Sequence, residues 1–147
     1  MQKDLILQEY GDLKKAVLLL KASIKKFKPY KVGKIYTPKE LEYYDSLSFR
    51  FEKSVELILN VFKGLELYLY AKGSDTLRDR LLIMQKLEVV DSIDFWMEAR
   101  ILRNKIVHSY LPELLRDIYN EIINKSQVIF ESVERIQKYL DRRGIFT

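Results

Sequence analysis

A chain of 147 residues with 48% hydrophobic and 32% charged side chains has the size of one domain and the balance of a globular protein, not of a disordered or fibrous one. It has no cysteine and one histidine, His108, which excludes disulfides, a thiol nucleophile, thiolate zinc sites and a multi-histidine metal cage. Its net charge of +5 is unevenly placed: nine lysines and no acid or arginine lie between Leu13 and Lys39, so the rest of the chain is net acidic. Such a basic segment attracts acidic partners such as nucleic acid, although solvated lysines are the commoner case.

Three prolines and five glycines are too few for the turns of a sandwich or barrel. No stretch approaches the ~20 apolar residues of a membrane span. The start, Met1-Gln2-Lys3-Asp4, lacks the shape of a signal peptide, and a soluble cytoplasmic protein without membrane contact is expected.

In chain order, Ile6, Leu13, Val17, Leu20 and Ile24 recur at helical spacing and predict an amphipathic helix from Lys3 to Phe27. The run from Pro29 to Pro38 reads as a surface loop, and Thr37-Pro38-Lys39-Glu40 as a capping box opening the next helix. That helix keeps Leu47, Phe51, Val55, Ile58, Phe62, Leu65 and Leu69 on one stripe and is expected to stop at Lys72-Gly73. A shorter helix follows from Thr76 to Leu87. Asp91 or Ser92 caps a fourth, with Phe95, Ala99, Leu102 and Ile106 inward, ending near His108 ahead of Pro112. The last helix runs from Pro112 to Arg142 and is released at Gly144. No internal repeat or linker divides the chain, so residues 1–147 are read as one all-α domain, an up-and-down antiparallel bundle of about four to five helices.

The fourth helix carries the residues with chemical potential. With about 100° per residue, Asn104 lies roughly opposite Phe95, and Arg100 and His108 fall about 40° to either side of Asn104. Arg100, Asn104 and His108 thus form a polar strip facing away from the core, with Arg103 at its edge. On a continuous helix Arg103 and His108 point about 140° apart, so one chain aims both at one atom only if the helix end unwinds or the long side chains swing. An isologous homodimer offers another way, since it brings the strips of two chains together.

Arg103, His108 and Tyr110 spell R-x4-H-x-Y, with Asn104 directly after the arginine. This pattern resembles the HEPN superfamily (higher eukaryotes and prokaryotes nucleotide-binding), in particular its HepT-like branch. The stretch from Asp45 to Leu57 is similar to the family's second-helix signature, the Phe95-Trp96 pair also fits, and the similarity covers Leu41 to Leu140. The resemblance implies a metal-independent endoribonuclease, the toxin of a toxin–antitoxin pair, with no cofactor and with a minimal nucleotidyltransferase as cognate antitoxin. It maps the catalytic arginine and histidine onto Arg103 and His108, and the tyrosine that receives AMP onto Tyr110. The chemistry suits these side chains: RNA brings its own 2′-hydroxyl nucleophile, histidine titrates near neutrality, and arginine offers a charged fork to phosphate oxygens. Asp45 and Arg50 are expected in the cleft facing the motif.

Plainer roles compete. His108 can cap the end of its helix, Arg100 and Arg103 can pair with Glu98 or a neighbouring acid, and Tyr110 is one of ten tyrosines. The basic segment 14–39, where Phe27, Tyr30 and Tyr36 lie among lysines, can bind RNA, dock an acidic protein or simply be solvated. The alternative function is a non-catalytic nucleotide- or substrate-binding partner of a small nucleotidyltransferase.

Overall fold

Five helices form: α1 (Gln2–Lys25), α2 (Pro38–Tyr70), α3 (Leu77–Lys86), α4 (Ile93–His108) and α5 (Pro112–Arg142). They are seen in a computed structural model that describes residues 2–145, and among the described residues there is no strand. None of the helices is long and apolar enough to cross a membrane.

The helix starts follow from local chemistry. Thr37 accepts from the Glu40 N–H at 3.2 Å while Glu40 Oε1 accepts from the Thr37 N–H at 3.1 Å, the reciprocal box that opens α2 behind Pro38. Thr76 and Ser92 accept from the N–H groups of Asp79 and Phe95 to start α3 and α4. Each such cap stabilises its helix by about 1 kcal/mol. α5 has no side-chain cap and begins on Pro112, whose fixed φ suits a first turn.

The ends are less regular. α2 stops at Ala71, which takes a left-handed φ of 57° and donates its N–H to the Leu67 carbonyl at 2.9 Å, not at Gly73 as the glycine suggests. α3 and α5 end alike. Glu88 and Gly144 are left-handed, at φ 66° and 67°, and the following residue reaches back to the helix: Val89 N–H to the Met84 carbonyl, Ile145 N–H to the Leu140 carbonyl. Val89 and Ile145 are then buried against the helices they close.

α2 is the axis of the packing and the one helix in contact with all four others. Residues near Gly64 meet Ile6 and Glu9 of α1, whereas Arg50 and Tyr43 meet Leu19 and Ser23, so α1 and α2 run antiparallel. α4 is likewise antiparallel to α2, with Trp96 set edge-on to Phe62 at 5.4 Å and Arg103 near Glu52. α5 is antiparallel to α1, since Tyr10 donates to Gln137 and Lys21 lies over the Phe130 ring. Four long helices thus make the up-and-down bundle, and short α3 carries the chain from α2 to α4. The core joins Leu13, Leu20, Phe51, Ile58, Phe62, Leu65, Trp96, Ile122 and Ile136, all with almost no exposed surface.

One acid is built into this core. Glu66 is fully buried and accepts from the Ser74 N–H at 2.6 Å, from the Ser74 hydroxyl and from Arg80 Nε at 3.2 Å, while Arg80 also donates to the Ser74 carbonyl at 3.1 Å. Burial pushes the Glu66 carboxyl up, but the Ser74 bonds and the Arg80 guanidinium outweigh it and hold the group below its ordinary 4.5. The network ties the α2–α3 turn to α3. Arg80→Ala, which strands the Glu66 charge, is expected to cost about 3–5 kcal/mol in urea unfolding at neutral pH. Because the folded-state value is depressed, the wild-type advantage over Glu66→Gln should be full above 4.5 and shrink as the pH falls below it, measured by the same titration repeated in acid.

Candidate functional site

The buried face of α4 is Trp96, Ala99 and Leu102, with Phe95 and Ile106 half-buried at its margin. Phe95 is therefore not its centre, as the sequence pattern suggests: the face is rotated toward Trp96. This rotation decides where Arg103 goes. It stands seven residues after Trp96, about 20° from it on the helix, and so sits half-buried at the core edge beside Glu52 of α2. Arg100, Asn104 and His108 are exposed, as the polar strip requires.

α4 stays helical through His108. Its end does not unwind, so Arg103 and His108 leave the helix about 140° apart, and neither lines the groove beside Tyr110. Of the plainer roles, an acid neighbour for Arg103 is present in Glu52, although at longer range than an ion pair. Among the described residues it is the Ser109 hydroxyl, not His108, that bonds an end carbonyl of α4, that of Lys105 at 2.9 Å. Glu98 pairs with Lys125 of α5 at 3.3 Å, and neither Arg100 nor Arg103 forms an ion pair among the described residues.

Beyond His108 the chain turns through an extended strap: Ser109 has φ −106° and ψ 128°, and Leu111 φ −72° and ψ 132° ahead of Pro112. Tyr110, between them, is 83% exposed. Close to it in sequence are Val107, Leu111 and Leu114, large apolar side chains left about half or more exposed. A groove of about 350 Å³ runs below the strap against the first half of α2. Asp45, Phe49, Glu52, Val107, Tyr110 and Tyr119 line it.

Asp45 and Tyr110 both line the groove, whereas Arg103 and His108 are not among its lining residues. Arg50 is not part of it. Its guanidinium donates to the Leu19 carbonyl at 3.2 Å and to Ser23 Oγ at 2.7 Å, locking α2 to α1. Glu52 takes the place in the cleft that was expected of Arg50. Seven residues separate it from Asp45, which puts both carboxylates on one face of α2, and that spacing is the signal that identifies it. Burial pushes the Glu52 carboxyl up, the Arg103 guanidinium pulls it back, and Glu56 adds to the rise. Burial also pushes the Tyr119 phenol up to about 12, with the Asp45 carboxylate and Tyr30 contributing. Among the described residues no group of three or more His, Cys, Asp or Glu is placed to hold a metal ion.

No protein-family model matches the chain, and no curated protein or solved structure matches it either.

The electrostatic neighbourhood of Arg103 is directly measurable. Arg103→Ala removes the cation that restrains Glu52, so the Glu52 carboxyl should titrate at still higher pH in the variant, followed by carbon-detected NMR of the side chain. An unchanged titration would place Arg103 elsewhere.

Proposed function

We propose that the chain is a HEPN-type endoribonuclease, a HepT-like toxin that acts as a homodimer and is restrained by a cognate minimal nucleotidyltransferase. The R-x4-H-x-Y pattern suggests the reaction, and one observation carries the reading: the corner formed by α4 and the Tyr110 strap. There Arg103, His108 and Tyr110 all reach solvent beside the partly exposed Val107, Leu111 and Leu114. A second copy packed on that apolar rim would bury it and bring the arginine of one chain toward the histidine of the other.

In this reaction the 2′-hydroxyl of a ribose attacks the adjacent phosphorus, and the bond from phosphorus to the 5′-oxygen breaks. The proton leaving the 2′-oxygen and the proton reaching the 5′-oxygen pass through general base and acid, and the His108 imidazole serves in this exchange. The Arg103 fork neutralises charge growing on the non-bridging oxygens. The products are a 2′,3′-cyclic phosphate and a 5′-hydroxyl. Asp45 and Glu52 repel phosphate from the groove itself, so the strand lies outside it, between the Arg103 of one chain and the His108 of the other. The high exposure of the Tyr110 phenol suits a residue that a partner enzyme loads with AMP.

A second reading, a non-catalytic companion of a small nucleotidyltransferase, is favoured by the separation of Arg103 and His108 within one chain. Mixed variants distinguish the two. With RNA and a chelator, His108→Ala should slow cleavage by about 10²- to 10⁴-fold. Arg103→Ala should also be inactive. Unfolding and reassembling the two variants together should restore about a quarter of wild-type activity, because half of the pairs then carry one whole site of two. Undiminished cleavage by His108→Ala would refute its role, and absence of cleavage by the wild type would favour the binding module.

A further inference from the structure

At the corner between α1 and α2 the chain encloses a second cavity, of about 770 Å³, whose rim carries Lys26, Lys28, Lys31, Lys34 and Lys39. The one acid on it, Glu40, is occupied: Lys34 Nζ holds it at 2.7 Å and the Thr37 N–H at 3.1 Å. Lys26, Lys28, Lys31 and Lys39 have no acid partner among the described residues.

Apart from the Lys34–Glu40 pair, the arrangement is held by tyrosines. Tyr43 donates its hydroxyl to the Ser23 carbonyl and Tyr44 to the Lys28 carbonyl, both at 2.7 Å, and the Lys31 N–H donates to the Tyr36 hydroxyl at 2.9 Å. Tyr30 stacks on Tyr36 with centroids 4.8 Å apart. Tyrosines thus fix a loop whose like-charged side chains repel one another, and the positive field is assembled before any ligand arrives. Tyr44 also stacks on Tyr119 at 4.7 Å, and Tyr119 lines the groove under Tyr110. One aromatic cluster separates the basic cavity from the motif corner.

We propose that this cavity seats the sugar–phosphate backbone of single-stranded RNA, holding the strand whose neighbouring segment lies at the Arg103 and His108 corner. The choice of RNA rests on the endoribonuclease reading. The shape supports it over the other polyanions. A concave wall gathers ammonium groups around a flexible chain, whereas a bilayer needs a flat or convex face with substantial apolar area, and in the loop Ile35, 95% exposed at its tip, is the one large aliphatic side chain that stands clear of the surface.

The test is fluorescence anisotropy of a labelled, uncleavable 2′-O-methyl oligouridine against the full chain across a salt series. Lys26→Gln, Lys28→Gln and Lys31→Gln combined should weaken binding by about tenfold or more at low salt and flatten the slope of log affinity against log salt by about 2. A control with the same charge change on exposed lysines elsewhere, Lys15→Gln, Lys72→Gln and Lys86→Gln, should keep the wild-type affinity within about twofold if binding is local. Circular dichroism establishes that both variants are folded. Equal losses in both, an unchanged slope, no binding by the wild type, or loss of binding only to phosphatidylserine vesicles with RNA affinity intact would each overturn the proposal. A wild type that binds the probe through these lysines but cleaves no RNA would refute the ribonuclease and leave the seat standing. Cleavage with affinity and slope unchanged in the lysine variant would do the reverse.

Discussion

Nearly everything in this molecule is placed by the need to bury α2. At about 1.5 Å per residue its 33 residues run the length of the bundle, and its buried residues lie on more than one side. Leu47, Phe51, Ile58 and Phe62 form one buried stripe along it, each burial worth about 1.5–3 kcal/mol, and α1, α3, α4 and α5 all contact this helix. At its far end Glu66 fastens the turn into α3. At its near end Tyr43 and Tyr44 fasten the lysine loop, while Asp45, Phe49 and Glu52 form a wall of the groove beneath Tyr110. Both candidate binding features therefore hang on the first four turns of one helix.

What the sequence discloses and what it hides divide along physical lines. Starts of helices were legible, because a cap is a contact between residues three apart: Thr37 with Glu40, Ser92 with Phe95. Ends were legible where glycine or proline marks them, as at Gly144 and at His108 ahead of Pro112. Gly144 and Glu88 close their helices with the same backbone geometry, yet only the first is visible as a letter, and Ala71 does the work expected of Gly73. Long-range partners leave the faintest trace. Arg50 bonds a backbone carbonyl and Ser23 of α1, Glu66 is satisfied by Ser74 and Arg80, and neither pairing has a spacing to read.

The motif corner was half legible. Its residues and their angular separation follow from helical geometry, and the polar strip of Arg100, Asn104 and His108 is exposed as that geometry requires. The phase of α4 did not follow. Moving the centre of the buried face from Phe95 toward Trp96 takes Arg103 from the edge of the strip to the edge of the core, next to Glu52. Which of two adjacent aromatics points inward depends on Phe62 of another helix, and the local pattern holds no information about that. The tyrosine cluster is hidden for the same reason, since Tyr30, Tyr44 and Tyr119 come from three separate segments.

Ala71 and Glu88 both sit in left-handed backbone where a β-carbon costs about 1–2 kcal/mol relative to glycine. Two of the bundle's turns thus operate below their attainable firmness, and the fold has headroom. A lineage of this sequence could absorb a damaging change in the core and recover by a single codon step at either turn, without disturbing any residue around Tyr110.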